Sequence, residues 1–465
     1  MRTPRPDPAP LRRTLTTSQR LGDRWLWGAR RRVRLGDVAY GTGLGQTLAG
    51  LAGRSVLVRV KDPLFAALAL VELDGVASRL VICPPDLEEE HLPYVAEVAA
   101  LDAVVSEKAP PAALSGLAFA PIVRPKTPLA GETHEEQVTE WVMFTSGTSG
   151  RPKMVVHTLA GLSGAIQRPA PDAPAPTWGT FYDVRRYGGL QILLRALLSE
   201  GSLVLTGPDE PMGSFLDRLA RHQVTHLTGT PSHWRWALMN PAAKALHPRY
   251  VRLSGEIADQ AILDSLRDFF PGVPMGHAYA STEAGVGFEV TDGLEGFPAS
   301  LLEADGPVRL KVEDGSLRLK STRIASRYLG EGAAPLAEPD GFVDSGDMVE
   351  LRGARYHFVG RRNGVINVGG LKVHPEEVEA VINRHPAVRM SLVRGRRNPI
   401  TGAIVIAELV LTEQALRQGT DEAKVKEEVL RACREALPPF KTPASVRIVP
   451  TLAMTAGGKL ERGVA

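Results

Sequence analysis

Short apolar runs rich in β-branched residues alternate along this chain with stretches of helical spacing, and this rhythm limits the folds it can adopt. The first block predicts a strand over 55–60, a helix over 62–73 and a strand over 80–83. Asp62 stands directly before Pro63, where an aspartate caps a helix and a proline fits the first turn. Such alternation predicts parallel strands with helices on both faces of the sheet.

The same alternation returns in the middle of the chain, and a different pattern follows it. The elements predicted there are a strand over 203–206, a helix over 212–221, strands over 225–228 and 250–254, and a helix over 258–270. Around 308–328 short alternating runs instead predict an antiparallel hairpin that turns at Asp314-Gly315. After about Arg361 a further unit begins, and its roughly 100 residues suffice for a small α+β domain.

The composition excludes several classes of protein. The chain has 465 residues, 43% of them hydrophobic, which is more than one core accommodates. Charged residues make up 23% and nearly balance at a net charge of +3, so no nucleic-acid partner is expected. No apolar run approaches the roughly 18 residues of a membrane span. Cys83 and Cys433 are expected to be reduced thiols, which favours a cytoplasmic location.

A dense run of hydroxyl and glycine residues follows a predicted strand that ends at Phe144. Glycines let backbone N–H groups turn toward an anion, while hydroxyls and a lysine add donors and charge. The GxxxxGK[ST] spacing of a Walker loop is absent. The run therefore predicts a different phosphate-binding loop, with these candidate ligands: Thr145, Ser146, Gly147, Thr148, Ser149, Gly150 and Lys153.

The segment TSGTSGRPK over 145–153 resembles the phosphate loop of the acyl-adenylate-forming (AMP-binding) superfamily. That superfamily includes acyl-CoA and aryl-CoA synthetases, nonribosomal peptide adenylation domains and luciferases. The resemblance covers about 55–462 and implies an α/β fold. Parallel and mixed sheets with flanking helices and a β-rich subdomain would form a large N-terminal domain, 1–361. A small mobile α+β C-terminal lid would follow over 362–465.

A second motif, over 279–283, is similar to the superfamily's aromatic-Gly-x-Thr-Glu segment. The resemblance implies that Tyr279 stacks on adenine and that Thr282 bonds a phosphate. It also implies that Glu283 holds Mg²⁺, which prefers oxygen ligands. Ala280 replaces the usual glycine, and Ser281 completes the predicted nucleotide contacts.

Two further segments complete the predicted nucleotide site. Ser254, Gly255 and Glu256 resemble the glycine-rich stretch that passes the adenine and acyl pockets. Asp344-Ser345-Gly346-Asp347 resembles the superfamily's TGD segment, which implies that Asp347 accepts hydrogen bonds from both ribose hydroxyls.

The segment from Phe358 to Arg361 resembles the beginning of the superfamily's lid. Both residues are predicted to contact the nucleotide, Arg361 through the ribose or a phosphate. Asn363 would be the hinge, where the superfamily usually carries Asp or Lys.

Three lid residues and one tail residue are predicted to act in turn. Gly369, Gly370 and Lys372 would line a pantetheine tunnel during thiol transfer. Lys459, in the segment 455–462, would be the catalytic lysine that reaches the α-phosphate and the acyl carboxylate.

The acid is the least predictable part. Amino-acid-activating relatives place an aspartate in the acyl pocket, and in this chain that position falls near Tyr187. Asp183 lies several residues away, so an amino acid is disfavoured but stays open. Tyr187, Arg186 and His233 are the candidate pocket residues. Arg185 or Arg186 would pair with a second carboxylate or polar group if it points inward, whereas solvated arginines on a loop are the alternative.

The predicted function is ATP-dependent activation of a carboxylic acid to acyl-AMP with release of pyrophosphate, then transfer to the thiol of coenzyme A. The alternative acceptor is the phosphopantetheine of a carrier protein, and a catalytically idle binding protein is a third interpretation. Partners would be the acid, ATP, and CoA or an acyl carrier protein, with a homodimer left open.

Overall fold

The computed structural model describes residues 8–125, 127–128, 137–145, 151–167, 170, 173–330, 333–399, 401–455 and 458–462. An eight-stranded sheet carries most of the chemistry discussed below. Its order is Gly285–Val290, Met275–Ser281, Tyr250–Ser254, His226–Gly229, Thr177–Thr180, Ser202–Val204, Trp25–Trp27 and Arg32–Arg34. Strands pair in parallel from Met275–Ser281 to Trp25–Trp27, and antiparallel only at the two edges. The predicted parallel pairing is confirmed.

A seven-stranded sheet contains the first predicted block. Its order is Arg327–Tyr328, Lys153–His157, Glu140–Thr145, Arg79–Ile82, Ser55–Val58, Ala103–Ser106 and Ala118–Pro121. The helix Pro63–Leu73 is buried along its whole length. Asp62 caps it, since its carboxylate accepts from the backbone N–H of Leu64 at 2.9 Å. One hydrophobic cluster joins both sheets through this helix and the helix Tyr187–Leu198.

A five-stranded antiparallel sheet forms the predicted β-rich part. Its order is Phe297–Pro298, Arg355–Arg361, Val343–Arg352, Ser316–Ser321 and Val308–Glu313. The predicted hairpin is confirmed, because the last two strands pair over their whole length. Asp314 and Gly315 turn it with φ values of 52° and 72°, which the mirror-image hairpin turn requires.

The chain after residue 361 has a sheet and a core of its own. The strands are Ile366–Val368, Leu371–Val373, Val388–Asn398, Gly402–Leu411 and Ser445–Ile448. Helices Pro375–Ile382 and Glu422–Ala436 pack on it around a hydrophobic cluster that extends from Ile366 to Leu437. A division of the chain at 361/362 stays a prediction.

The remaining elements connect these layers. The other helices are Leu11–Thr16, Leu35–Tyr40, Leu92–Val98, Leu159–Ser163, Met212–Arg221, Pro231–Ala237, Gln260–Phe269 and Glu413–Arg417, and the strands Gly41–Thr42 and Thr127–Pro128 pair separately. Among the residues described, no helix has both the length and the apolar character needed to cross a membrane. Cys83 and Cys433 are buried free thiols.

Candidate adenylate-forming site

The site lies where neighbouring parallel strands of the eight-stranded sheet end. Thr230 follows the strand His226–Gly229, and Gly255 follows Tyr250–Ser254. The next strand ends at Ser281, directly before Thr282. Because parallel strands end at one edge of a sheet, three separate predicted segments meet there.

The tail of the chain, residues 458–462, lies across these strand ends. The hydroxyl of Thr230 donates to the carbonyl of Gly458 at 2.8 Å, and the N–H of Leu460 donates to Glu256 Oε1 at 3.2 Å. Lys459 stands between these two anchors, with its Cε 3.6 Å from where a Cβ on Gly255 would lie. The predicted residues Gly255, Glu256 and Lys459 are thus brought together.

Lys459 is open to solvent but closely surrounded by protein charges. The surrounding protein lowers its pKa by desolvation, and the nearby carboxylate of Glu256 partly opposes that effect. The charge of Arg361 also lowers the pKa of Lys459, and the charge of Asp347 raises it. The ammonium therefore lies within electrostatic reach of the predicted ribose carboxylate.

Asp347 is the centre of a second group of predicted residues. Tyr279 donates its phenol to Asp347 Oδ2 at 2.6 Å, and Arg361 donates Nε–H to Asp347 Oδ1 at 3.0 Å. Burial and the charge of Asp347 raise the pKa of Tyr279, while Asp347 raises the pKa of Arg361. The Tyr279 ring stacks with Phe358 at 5.3 Å and with Phe288 at 5.5 Å between centroids. Tyr279 is therefore held by aromatic neighbours, and its stacking on adenine stays a prediction.

Thr282 and Glu283 are held through their backbones. Burial lowers the pKa of His157 to about 4, so the ring is neutral near pH 7 and its Nε2–H donates to the carbonyl of Thr282 at 2.8 Å. The carbonyl of Glu283 accepts from the N–H of Ala325 at 2.9 Å. In the described part of the chain, the Glu283 carboxylate has no hydrogen bond or ion pair.

The predicted phosphate loop is bounded by a pair of strands. Ser146, Gly147, Thr148, Ser149 and Gly150 lie outside the described residues. Thr145 and Lys153 face each other as the last pair of an antiparallel ladder. Lys153 places its ammonium 6.0 Å from the centre of the Tyr328 ring.

His233 forms part of a wall next to the tail. Thr230 caps the helix Pro231–Ala237 by accepting from the N–H of His233, and its own N–H donates to His233 Nδ1 at 3.1 Å. Burial lowers the pKa of His233 to about 4. The imidazole stacks on Phe181 and meets the edge of Tyr182. A Cβ on Gly458 would lie 1.9 Å from the ring, so this wall touches the tail.

The arginines predicted near the acid have acidic partners. Arg185 binds both carboxylate oxygens of Asp183, at 2.8 and 2.6 Å, and also donates to the carbonyl of Val60. Arg186 pairs with Asp86. Asp183 and Arg185 therefore neutralise each other and have little charge left for a ligand.

Tyr187 is buried at the beginning of the helix Tyr187–Leu198, with its ring 5.7 Å from that of His157. Burial raises the pKa of its phenol.

The predicted lid residues lie in or beside two exposed turns after Arg361. Gly369 and Gly370 turn the hairpin between Ile366–Val368 and Leu371–Val373, with φ values of 60° and 87°. Both glycines and Lys372 are exposed. Asn363 lies in a short exposed turn.

Sequence reasoning missed Arg462, which fixes the tail to the helix Pro375–Ile382. Its guanidinium binds both oxygens of Glu379, at 2.9 and 2.7 Å, and approaches Glu376 at 3.5 Å. His157 was missed as well, because a histidine on a strand carries no sequence signal for its partner. For Arg462, the available sequence signal was its position three residues after the predicted catalytic lysine, Lys459.

A lysine held over parallel strand ends, beside a carboxylate–guanidinium pair and an aromatic stack, defines a nucleotide-dependent adenylate-forming enzyme. The sequence agrees with this class: residues 64–314 match the AMP-binding enzyme family, and 377–459 match its C-terminal domain. The chain belongs to the AMP-binding enzyme family. The predicted superfamily, fold class and AMP-forming ligase class are confirmed.

Known relatives differ in their named roles. A 2-succinylbenzoate–CoA ligase of Listeria innocua is 28% identical over 339 residues, 70% of this chain and 69% of that protein. A probable non-canonical nonribosomal peptide synthetase, CymA, of Salinispora arenicola is 27% identical over 372 residues, 74% of this chain but 4% of that protein. The fold matches the anthranilate CoA ligase AuaEII in complex with anthranoyl-AMP, with a TM-score of 0.79 and 18% identity, over 98% of this chain and 96% of that one.

Proposed function

We propose that this protein activates a carboxylic acid with ATP, forms the acyl-AMP, releases pyrophosphate and transfers the acyl group to the thiol of coenzyme A. The observation that carries the proposal is the anchored tail, which holds Lys459 between Thr230 and Glu256 at the strand ends. The relatives named as CoA ligases support the choice of acceptor.

The first step sets an acid carboxylate against the α-phosphate of ATP, so neutralising charge is most of the task. Lys459 supplies a cation at the strand ends, and its lowered pKa reflects a partly desolvated ammonium. Arg361 supplies a second cation, held in place by Asp347. The loop between Thr145 and Lys153 would bind the β- and γ-phosphates.

The residues present fit a magnesium ion at Glu283. Its carboxylate has no partner in the described part of the chain, and oxygen ligands are those that Mg²⁺ prefers. His157 and Ala325 hold the backbone carbonyls of Thr282 and Glu283, so the backbone that carries this carboxylate is fixed. When bound, Mg²⁺ neutralises phosphate charge.

The second step requires a different set of residues. A rotation of the segment after residue 361 about Asn363 would withdraw Lys459 and bring Gly369, Gly370 and Lys372 to the acyl-AMP. Two poses of one lid would keep the adenylate from water between the steps.

Exposed positive charge on the lid bears on whether the thiol acceptor is CoA or a carrier protein. Arg396 and Arg397 are exposed at the end of the strand Val388–Asn398, whereas Arg394 pairs with Glu408. Two exposed arginines suit the 3′-phosphate of CoA. They also suit an acidic carrier protein, which remains the second candidate. A cytoplasmic location and a homodimer remain predictions.

The test is pyrophosphate release from Mg-ATP with fatty, aryl, dicarboxylic and amino acids, each with and without CoA. Acid-dependent release that CoA accelerates is expected. Lys459→Ala should lower the adenylation rate by about two to three orders of magnitude, as the loss of a charge-stabilising donor does. Lys424→Ala, on an exposed helix face, is the matched control. ATP binding without release for any acid, or full release by Lys459→Ala, would overturn the proposal.

A further inference from the structure

Two arginines face the same side of the strand Tyr250–Ser254. Arg252 belongs to that strand and is 6% exposed. Its neighbours Val251 and Leu253 point the other way, into the hydrophobic cluster packed on the opposite face. Arg195 belongs to the helix Tyr187–Leu198, and the charge of Arg252 lowers its pKa. The two guanidinium groups therefore lie within electrostatic reach of each other.

These arginines share one carboxylate. Arg252 Nε donates to Glu289 Oε1 at 3.1 Å, and the same carboxylate oxygen accepts the phenol of Tyr250. Arg252 Nη2 and Arg195 Nε are buried without any acceptor. Within the described residues, the Arg195 side chain has no hydrogen bond or ion pair at all. Two guanidinium groups thus face a single negative charge.

Such a surplus is unfavourable in the protein alone. Burial and the charge of Arg252 lower the pKa of Arg195 to about 10, so the two cations disfavour each other. A buried ion without a partner is unfavourable, because nothing replaces the hydration that it loses. An anion bound between the arginines would supply the missing partner and the missing acceptors.

Neighbouring residues connect Arg195 and Arg252 with the region around Lys459. Arg252 lies two residues before Ser254, the last residue of its strand, and Gly255 follows, so the backbone from Arg252 to Gly255 spans at most about 10 Å. Its charge acts on the phenols of Tyr182 and Tyr187. Tyr182 meets His233, which touches the tail beside Lys459. Tyr182 and His233 therefore connect the region of Arg252 with the tail that carries Lys459.

We propose that the acid carries a second anionic group, a carboxylate, and that Arg195 and Arg252 bind it while Lys459 faces the carboxylate that is activated. The inference rests on the proposed function and specifies its substrate class. The distance of about 10 Å suits a dicarboxylic acid with a medium-length or aromatic body. An ammonium at the far end of the acid would be repelled here, so ω-amino acids are disfavoured by charge.

The test compares acids that differ only at the far end. The probes are linear dicarboxylic acids from succinate to azelate and 4-(carboxymethyl)benzoate, each beside its far-end methyl ester. For the best-fitting length, the diacid should exceed its ester in kcat/KM for pyrophosphate release by about ten- to a hundredfold, the usual range for a charged hydrogen-bonded pair. The diacid should also raise the midpoint of thermal unfolding more than the ester, a readout independent of turnover.

Arg195→Gln and Arg252→Gln should bring the ratio of diacid to ester kcat/KM close to one, mainly by raising the KM for the diacid. Arg195→Gln removes a charge that has no partner in the described residues, whereas Arg252→Gln also removes the ion pair with Glu289. Thermal unfolding of both variants checks that they fold. Arg195→Lys should keep part of the preference. Arg267→Gln, on an exposed helix, is the matched control.

The possible failures differ between the two proposals. Equal use of diacid and ester by the native protein, or an unchanged preference in both glutamine variants, would overturn the diacid inference and leave the ligase intact. If no acid in either set releases pyrophosphate although ATP binds, the proposed function fails and the substrate class fails with it.

Discussion

At the scale of single residues, Gly458 shows how closely the tail fits the body. Its φ is +71°, and a Cβ added to it would lie 1.9 Å from the His233 ring, so both its backbone and its surroundings exclude a side chain. Gly458→Ala should displace Lys459 and lower pyrophosphate release at least tenfold, with little change in the unfolding midpoint. Gly419→Ala is the control, because Gly419 also has a positive φ, 59°, but has nothing within 4 Å. Equal effects of the two variants would show that backbone strain alone is responsible.

His157 gives the fold a dependence on pH. Its pKa of about 4 lies below its ordinary value of 6.5, so the unfolded chain binds the proton more readily. The contribution of a neutral His157 to the free energy of unfolding is complete above pH 6.5. It is lost as the pH falls toward 4, and for this shift in pKa the loss is about 3 kcal/mol. The raised pKa of Asp74, about 6, acts in the opposite direction, so the comparison must be between variants.

His157→Gln should therefore flatten the fall of the unfolding midpoint between pH 6.5 and 4, as measured by differential scanning fluorimetry. His91→Gln, at a half-buried position in the short turn Glu89–His91, should keep the slope of the native protein. A parallel curve for His157→Gln would contradict a buried neutral imidazole at this position.

At the scale of elements, the sequence predicted much more about strands and helices than about their contacts. The cap at Asp62 and the turn at Asp314-Gly315 depend on neighbouring residues, so local chemistry defines them. The pairing of Arg185 with Asp183 depends on the loop conformation, and the sequence left its direction open. The meeting of Arg195 with Arg252 depends on how a helix crosses a strand 57 residues away, and no local pattern encodes that.

The tail is an element that depends on one long-range contact. Arg462 binds Glu379 of the helix Pro375–Ile382, and Glu379 also accepts from the N–H of Val393. Arg462→Met should release the tail from the lid, so that Lys459 no longer moves with it, and both half-reactions should slow. We expect a lower kcat for pyrophosphate release with the KM for ATP little changed, since a positioning residue does not touch the nucleotide.

Arg447→Met provides the comparison for Arg462→Met, because Arg447 also pairs with a glutamate, Glu408, on the surface of the same sheet. If both variants were equally active, the tail would be held by Thr230 and Glu256 alone.

At the scale of the whole molecule, polar side chains connect the predicted lid, after residue 361, with the chain before it. Arg389 donates to the carbonyl of Arg235, and Asn383 donates to Asp259 at 3.1 Å. Asp259 also binds Arg235, so these residues form one small network. An interface of this kind permits the rotation that two half-reactions require.

The exposed turn Arg362–Gly364 makes that rotation measurable. Trypsin should cut first at Arg361 or Arg362, because both arginines are exposed where the five-stranded sheet ends and the lid begins. A non-hydrolysable acyl-AMP analogue should slow this cleavage by holding the lid on the body, since Arg361 would then contact the nucleotide. Asn383→Ala removes one of the contacts that hold the lid and should speed the cleavage without ligand. Cleavage at scattered sites would mean that the turn is not a preferred joint. An unchanged rate in the variant and with the analogue would mean that no movement about the turn responds to these contacts, and either result would require the two-pose mechanism to be abandoned.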